Sequence, residues 1–252
     1  MLELYQFPLS LYCEKTRWNL GAKQLPHRCV DMLPGLHRPV ALRLAGIGTL
    51  PVLRDGRQSV GDSTRIALYL EARYPALPLL PAASAARADV LALEEEFDEL
   101  GVHVRRCVWS LAVDEPDIDR IFFGFNGYDG LRRRIGHLCR PVLRAMVRST
   151  FQVYPQPVAD SFARLEVAWV RIEGLLRGDP ARYLVGEGFT LADLTAAAML
   201  APLIGPEESP WPDNAVPAAS LPERQRLRAT VPGQWVLRIY AQHRGQGSQR
   251  QL

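Results

Sequence analysis

Ser10 and Cys13 stand where an apolar run ends and a helical pattern begins. Leu2–Phe7 reads as a strand, Pro8 as a bend and Tyr12–Lys23 as a helix, so both side chains fall at the helix start. The first N–H groups of a helix have no partner inside it and carry a partial positive charge, which together stabilise a thiolate. That thiol is either the chain's own Cys13 or one carried by a ligand beside the Ser10 hydroxyl. Each residue also has a plain structural role, serine as an N-cap and cysteine as a small apolar filler. Asp62-Ser63 opens a second helix, which the pair can cap. Pro51 cannot donate to a ladder and belongs at a strand entry or edge.

The elements that position these residues alternate over the first 75 positions. His27–Met32 reads as a second strand, Pro39–Leu44 as a weak helix, and Leu50–Leu53 as a third strand. Asp55-Gly56 is a hairpin signal leading to Gln58–Val60, and a helix over Asp62–Tyr74 places Ile66, Ala67, Leu70 and Tyr74 on one face. Strands one and two need a crossover helix and should be parallel, with the hairpin adding an antiparallel edge. Three prolines between Pro75 and Pro81 mark a linker. Beyond it the pattern is helical: Ala85–Ala112, Gly130–Arg148, Pro157–Leu176 with a stripe of Phe162, Leu165, Trp169, Ile172 and Leu176, an apolar helix from Thr190 to about Leu200, and Gln234–His243. Thr190 and Asp193 have capping-box spacing, a folding role rather than a chemical one. The reading is an α/β domain over 1–77, an all-helical domain over 84–244 and a polar tail over 245–252.

Composition narrows the function. A net charge of +3 is too small to imply nucleic-acid binding. Leu194–Ile204 is too short to span a bilayer, and the start of the chain lacks the pattern of a secretory signal, so a cytoplasmic protein without membrane attachment is expected. The four cysteines have neither metal-ligand nor C-x-x-C spacing, which points to reduced, mostly buried thiols and no metal. Lys15 and Lys23 are the two lysines among 30 basic residues, a bias read as genomic. Acidic residues from Glu94 to Glu99 crowd one helix, while Arg132–Arg134, Arg140, Arg144 and Arg148 load the next; the two are expected to pair with each other or across a dimer.

Taken together, Ser10–Lys15, Thr49-Leu50-Pro51-Val52-Leu53, Gly61-Asp62-Ser63 and Tyr183–Gly186 followed by Thr190–Asp193 resemble the cytosolic glutathione transferase superfamily. The resemblance implies a thioredoxin-like N-terminal domain, a helical-bundle C-terminal domain and a homodimer. It implies that Ser10 hydrogen-bonds the glutathione sulfur as the catalytic group. Pro51 would be cis, turning the backbone of Leu50 toward the cysteinyl unit. Thr49, Leu50, Pro51, Asp62 and Ser63 would bind glutathione, His37 would reach its glycine carboxylate, and Cys13 would sit beside the sulfur. The implied activity is thiolate attack on a small apolar electrophile. The length of the proline-rich 205–234 stretch and its Trp211 separately lead to the expectation that it folds over the pocket as a lid. Glutathione-dependent thiol-disulfide exchange through Cys13, or a non-catalytic binding module, are the alternatives. Leu11, where close relatives often carry proline, and Asp62, where they more often carry Glu, depart from the pattern.

Overall fold

A computed structural model describes residues 1–116, 118 and 130–245, with side chains at 131–133 and 215 left aside. Four strands form one sheet: β1 (Leu2–Gln6), β2 (His27–Asp31), β3 (Val52–Asp55) and β4 (Gln58–Gly61), in the order β2-β1-β3-β4. β1 pairs with β2 in parallel and with β3 antiparallel, so Leu4 lies between Cys29 and Leu53. The parallel pair is joined by helix α1 (Leu11–Ala22), the crossover that such a pair requires. β3 starts at Val52, two residues later than the apolar run suggests, because Pro51 has no N–H to enter the ladder. Gly56, at φ +60, makes the tight β3–β4 turn. Helix α2 (His37–Ala45) leads into β3, and α3 (Ser63–Arg73) follows β4. Ile66 and Leu70 of α3 pack on Leu2, Leu4, Leu20 and Leu53, as the helical spacing required.

The remainder is helical among the described residues: α4 (Ser84–Ala112), α5 (Gly130–Phe151), α6 (Pro155–Leu176), α7 (Leu191–Ile204), α8 (Leu221–Arg228) and α9 (Val231–His243). α7 is apolar around most of its circumference and is buried almost throughout, the position expected of such a helix at the centre of a packed bundle. Its Thr190 and Asp193 form the expected capping box. α4 approaches both α1 and α7 closely at Gly101. A Cβ there would stand 2.5 Å from Met199 Sδ and 3.0 Å from both Leu11 Cδ1 and the Tyr12 hydroxyl. The same core cluster therefore contains Leu11, Trp18 and Ala67 of the α/β unit together with α4, α7 and α9.

Three expectations change. On α6, Leu165, Ile172 and Leu176 are buried, but Phe162 at the head of the stripe is exposed. Among the described residues, the acids of α4 do not pair with the arginines of α5. Glu94 and Asp98 meet Lys15 of α1, and Glu96 meets Arg171 of α6 at 3.4 Å. Arg144 of α5 instead donates to the backbone carbonyls of Val113, Asp114 and Glu115 at 3.1–3.2 Å, and Arg148 to the Asp114 carboxylate at 2.5 Å. Cationic side chains are favoured at the carbonyl end of a helix, and α4 ends there. Two of the four cysteines, Cys13 and Cys107, are buried, whereas Cys29 is exposed and Cys139 half-buried; none is in a disulfide. The tail expected from 245 lies outside the described residues beyond Gly245.

Candidate active site

A cavity of about 370 Å³ lies between the sheet unit and the helices. Its walls include Phe7 to Tyr12 at the start of α1, His37, Thr49 and Leu50 from the sheet unit, and Arg105, Trp109, Val147 and Phe151 from α4 and α5. Ser10, His37, Thr49 and Leu50 are thus brought to one surface from three separate stretches of chain. The Leu50–Pro51 bond is cis, and Pro51 is buried behind that wall.

Ser10 is the N-cap of α1, and its Oγ accepts the Cys13 N–H at 3.4 Å. A hydroxyl that accepts a hydrogen bond keeps its own proton to donate, and here the cavity lies beside it. The neighbouring phenol does not compete for that role. Tyr12 gives its hydroxyl hydrogen to the Asp98 carbonyl at 3.2 Å, and burial pushes its pKa up to about 12.

Cys13 does not join the site. Its sulfur is fully buried, accepts the Phe7 N–H at 3.4 Å and lies off the cavity wall; burial raises the thiol above its ordinary range. Desolvation at this position outweighs the helix-start potential, so the residue expected to touch a ligand sulfur packs inward. His37 lines the cavity with its ring edge-on to Phe7, centroids 4.8 Å apart, and burial lowers its pKa toward the neutral form. Among the described residues, the 205–234 stretch supplies none to the cavity wall. Trp211 is buried in the main core, and the buried Arg224 holds its carbonyl at 3.0 Å and that of Pro202 at 2.8 Å. The lid expectation fails because the tryptophan is anchored inside the protein.

Asp62 and Ser63 lie at the start of α3, off this cavity's wall. Asp62 accepts the Arg65 N–H at 3.0 Å, the N-cap bond expected. Its φ of +77 and ψ of 132 are unusual for a residue with a Cβ, and such strain is concentrated at functional sites. Ser63 is buried, and its hydroxyl donates to Asp98 Oδ1 at 3.3 Å. Asp98 escaped notice in the sequence because it reads as one member of an acidic run. Its carboxylate is partly open to solvent and also meets Lys15 Nζ, which contacts Glu94 and, at 2.9 Å, the Thr64 hydroxyl. Lys15 is fully buried, and its three donors each find an oxygen. No group of histidine, cysteine and carboxylate side chains suited to a metal ion occurs among the described residues.

A thioredoxin-like sheet unit that turns a helix-capping hydroxyl toward a cavity walled on its other side by helices defines a fold of the glutathione transferase type. Residues 4–78 match the family model for the glutathione S-transferase N-terminal domain. Over 83 residues the chain is 39% identical to glutathione S-transferase 1 of Dianthus caryophyllus, covering 32% of this chain and 38% of that protein. Over 84 residues it is 37% identical to a zeta-class glutathione S-transferase of Euphorbia esula, covering 32% and 37%. The chain thus matches less than two-fifths of the length of these curated relatives. The whole fold is similar to the β-etherase LigF of Sphingobium sp. strain SYK-6, with a TM-score of 0.61, 22% identity and coverage of 94% and 98%. Glutathione transferase F7 of Populus trichocarpa is similar at a TM-score of 0.58, 17% identity and coverage of 94% and 98%. Residues 4–78 are thus similar to the glutathione S-transferase N-terminal domain, and the chain as a whole shares the fold of these solved structures. Among the described residues, no helix is long and apolar enough to cross a membrane.

Proposed function

We infer that the protein is a glutathione transferase in which Ser10 stabilises the glutathione thiolate for attack on a small electrophile. The observation that carries this reading is the Ser10 hydroxyl, an N-cap with a proton to give, on the wall of a cavity shared with Leu50 and the helical unit. Glutathione would add along the Leu50 backbone, with its γ-glutamyl end toward Asp62, Ser63 and Asp98 and its glycyl end toward His37. Asp98 offers a carboxylate for the γ-glutamyl ammonium beside the one Asp62 supplies. The sulfur would then meet the α1 start, where a donated hydrogen bond and the helix potential both favour the charged form. The electrophile would occupy the side lined by Trp109, Val147 and Phe151. The bond from sulfur to carbon forms as the leaving group departs with its electron pair, and the thiol proton goes to solvent. In this reading the protein is a cytoplasmic, detoxifying homodimer. The exposed Leu138 and Val142, four residues apart on α5, are candidates for its interface, and light scattering at monomer mass would contradict that assignment.

Spectrophotometric titration of bound glutathione tests the central claim. A hydrogen bond to a charged group contributes about 1.5–3 kcal/mol, so Ser10→Ala should raise the bound thiol's pKa by about one to two units. Glutathione that titrates in the wild-type complex as it does free in buffer would refute the reading. Calorimetry showing no glutathione binding at millimolar concentration would leave only a non-catalytic module.

A further inference from the structure

Two adjacent arginines on α4 have opposite situations. Arg106 is fully engaged: it donates to the Phe151 carbonyl at 3.0 Å, Ser161 Oγ at 2.7 Å and Gln152 Oε1 at 3.2 Å. Arg105 lines the same cavity as Ser10, yet its buried Nε has no hydrogen-bond partner. Among the described residues no carboxylate forms an ion pair with it; burial disfavours its charge most, and the groups that bear on it are the Tyr12 phenol and then Arg106, of like sign. What surrounds the guanidinium is aromatic: its Cζ lies 4.6 Å from the Phe151 ring centroid and 5.6 Å from that of Tyr12. Trp109 stacks on Phe151 at 5.7 Å between centroids and also lines the cavity. Ring faces attract a cation but cannot accept its N–H hydrogen bonds as an anion does.

Arg105 is half-buried, and a cation whose buried N–H meets no anion is costly; such a group persists where a ligand completes it. We propose that the electrophile pocket takes an aromatic substrate bearing a carboxylate, with Arg105 holding the carboxylate and Trp109, Tyr12 and Phe151 forming the walls for the ring. This deepens the transferase reading and rests on it for the chemistry, while the anion site itself can be tested without turnover. Glutathione's own carboxylates are assigned to the α3 start and to His37, which leaves Arg105 for the second substrate. In the reaction the thiolate sulfur bonds to the substrate's electrophilic carbon, and the leaving group takes the electrons of the bond that breaks. The carboxylate remains on the substrate throughout.

The test uses two unreactive probes of the same shape, 3,5-dinitrobenzoate and 3,5-dinitrobenzamide, read by quenching of tryptophan fluorescence. A charge-assisted hydrogen bond in this setting should make the acid bind about tenfold to a hundredfold more tightly than the amide. Arg105→Met should bring the acid-to-amide ratio close to one, and Arg105→Lys should restore part of it. Equal affinity of the two probes for the wild type overturns the proposal with no variant needed. So does a preference for the acid that survives in Arg105→Met. If the preference holds but calorimetry finds no glutathione binding, the anion site stands and the transferase reading falls. Should Arg105→Met weaken glutathione rather than the acid, Arg105 belongs to the glutathione site and the substrate class proposed is wrong.

Discussion

Replacing Lys15 with Met removes one charge from a buried polar cluster between α1, α3 and α4. The Lys15 side chain has 0% exposure, Glu94 has 2% and Asp98 has 23%. Lys15→Met keeps most of the stem's packing and leaves two α4 carboxylates, Glu94 and Asp98, without their cation at the α1–α4 contact. The Thr64 hydroxyl, 2.8 Å from Glu94, and the Ser63 hydroxyl on Asp98 remain, but neither carries charge. Breaking a buried ion pair by removing one partner typically costs about 3–5 kcal/mol. The partial exposure of Asp98 argues for the low end, about 3 kcal/mol. That is a large share of a stability of about 5–15 kcal/mol and corresponds to a fall in melting temperature of roughly 6–12 °C. Urea titration monitored by circular dichroism measures the loss. Adding Glu94→Leu should then recover at least about 1.5 kcal/mol, because buried pairs replaced on both sides by apolar groups are often neutral. A loss below about 1 kcal/mol in Lys15→Met, or strict additivity in the double variant, would show that solvent reaches the cluster and that the burial argument is wrong.

Three further perturbations follow from the same structure. Burial pushes the Glu14 carboxyl up, but Arg17 and Arg244 more than offset it and hold it below its ordinary value of 4.5. The unfolded chain then takes up that proton more readily, so the Glu14 contribution is present above about pH 4.5 and is lost as pH falls further. The stability difference between wild type and Arg244→Met should therefore shrink on acidification, and a difference constant with pH would contradict the assignment. Asp193 accepts the N–H groups of Leu184 and Thr190 at 2.8 and 2.9 Å and the Thr190 hydroxyl at 2.8 Å. Asp193→Ala strands these buried donors and should cost about 3 kcal/mol, with a thermal shift of only a degree or two counting against it. Burial raises this carboxyl to about 6, so it is mostly ionised at neutral pH. Cys13→Ala should leave thiol transfer and disulfide reduction intact while costing about 1 kcal/mol; loss of either activity would return the cysteine to the site.

Much of the fold was legible because it rests on local signals. The β1–α1–β2 order, the Gly56 turn, the α3 face and the Thr190–Asp193 box each follow from periodicity or capping over a few residues. The cis Leu50–Pro51 bond came from the family resemblance, since an X-Pro bond on its own favours trans. Cys13 misled for a definite reason: spacing places a side chain near a helix start but does not say whether it points to a cavity or to a core. Trp211 misled in the same way, its aromatic character being equally suited to a lid and to the core where it lies. Asp98 and Arg105 could not be singled out, because one sits in an acidic run and the other among 30 basic residues of similar spacing.

By itself the chain order determined the α/β unit followed by helices, and it put a serine hydroxyl at the first helix start. These depend on contacts between near neighbours, which a one-dimensional pattern records. The environment of each charge was decided only by the tertiary structure. Lys15 and Lys23, read as remnants of a composition bias, are both buried. Lys23 donates to the Tyr74 carbonyl at 3.1 Å and pairs with Glu71 at 2.7 Å, much as Lys15 joins α1 to α3 and α4. A compact ammonium with three rotatable donors fits such small oxygen cages better than a planar guanidinium does. Burial sums contributions from segments far apart in the chain, and so no local pattern could have revealed why those two positions hold lysine.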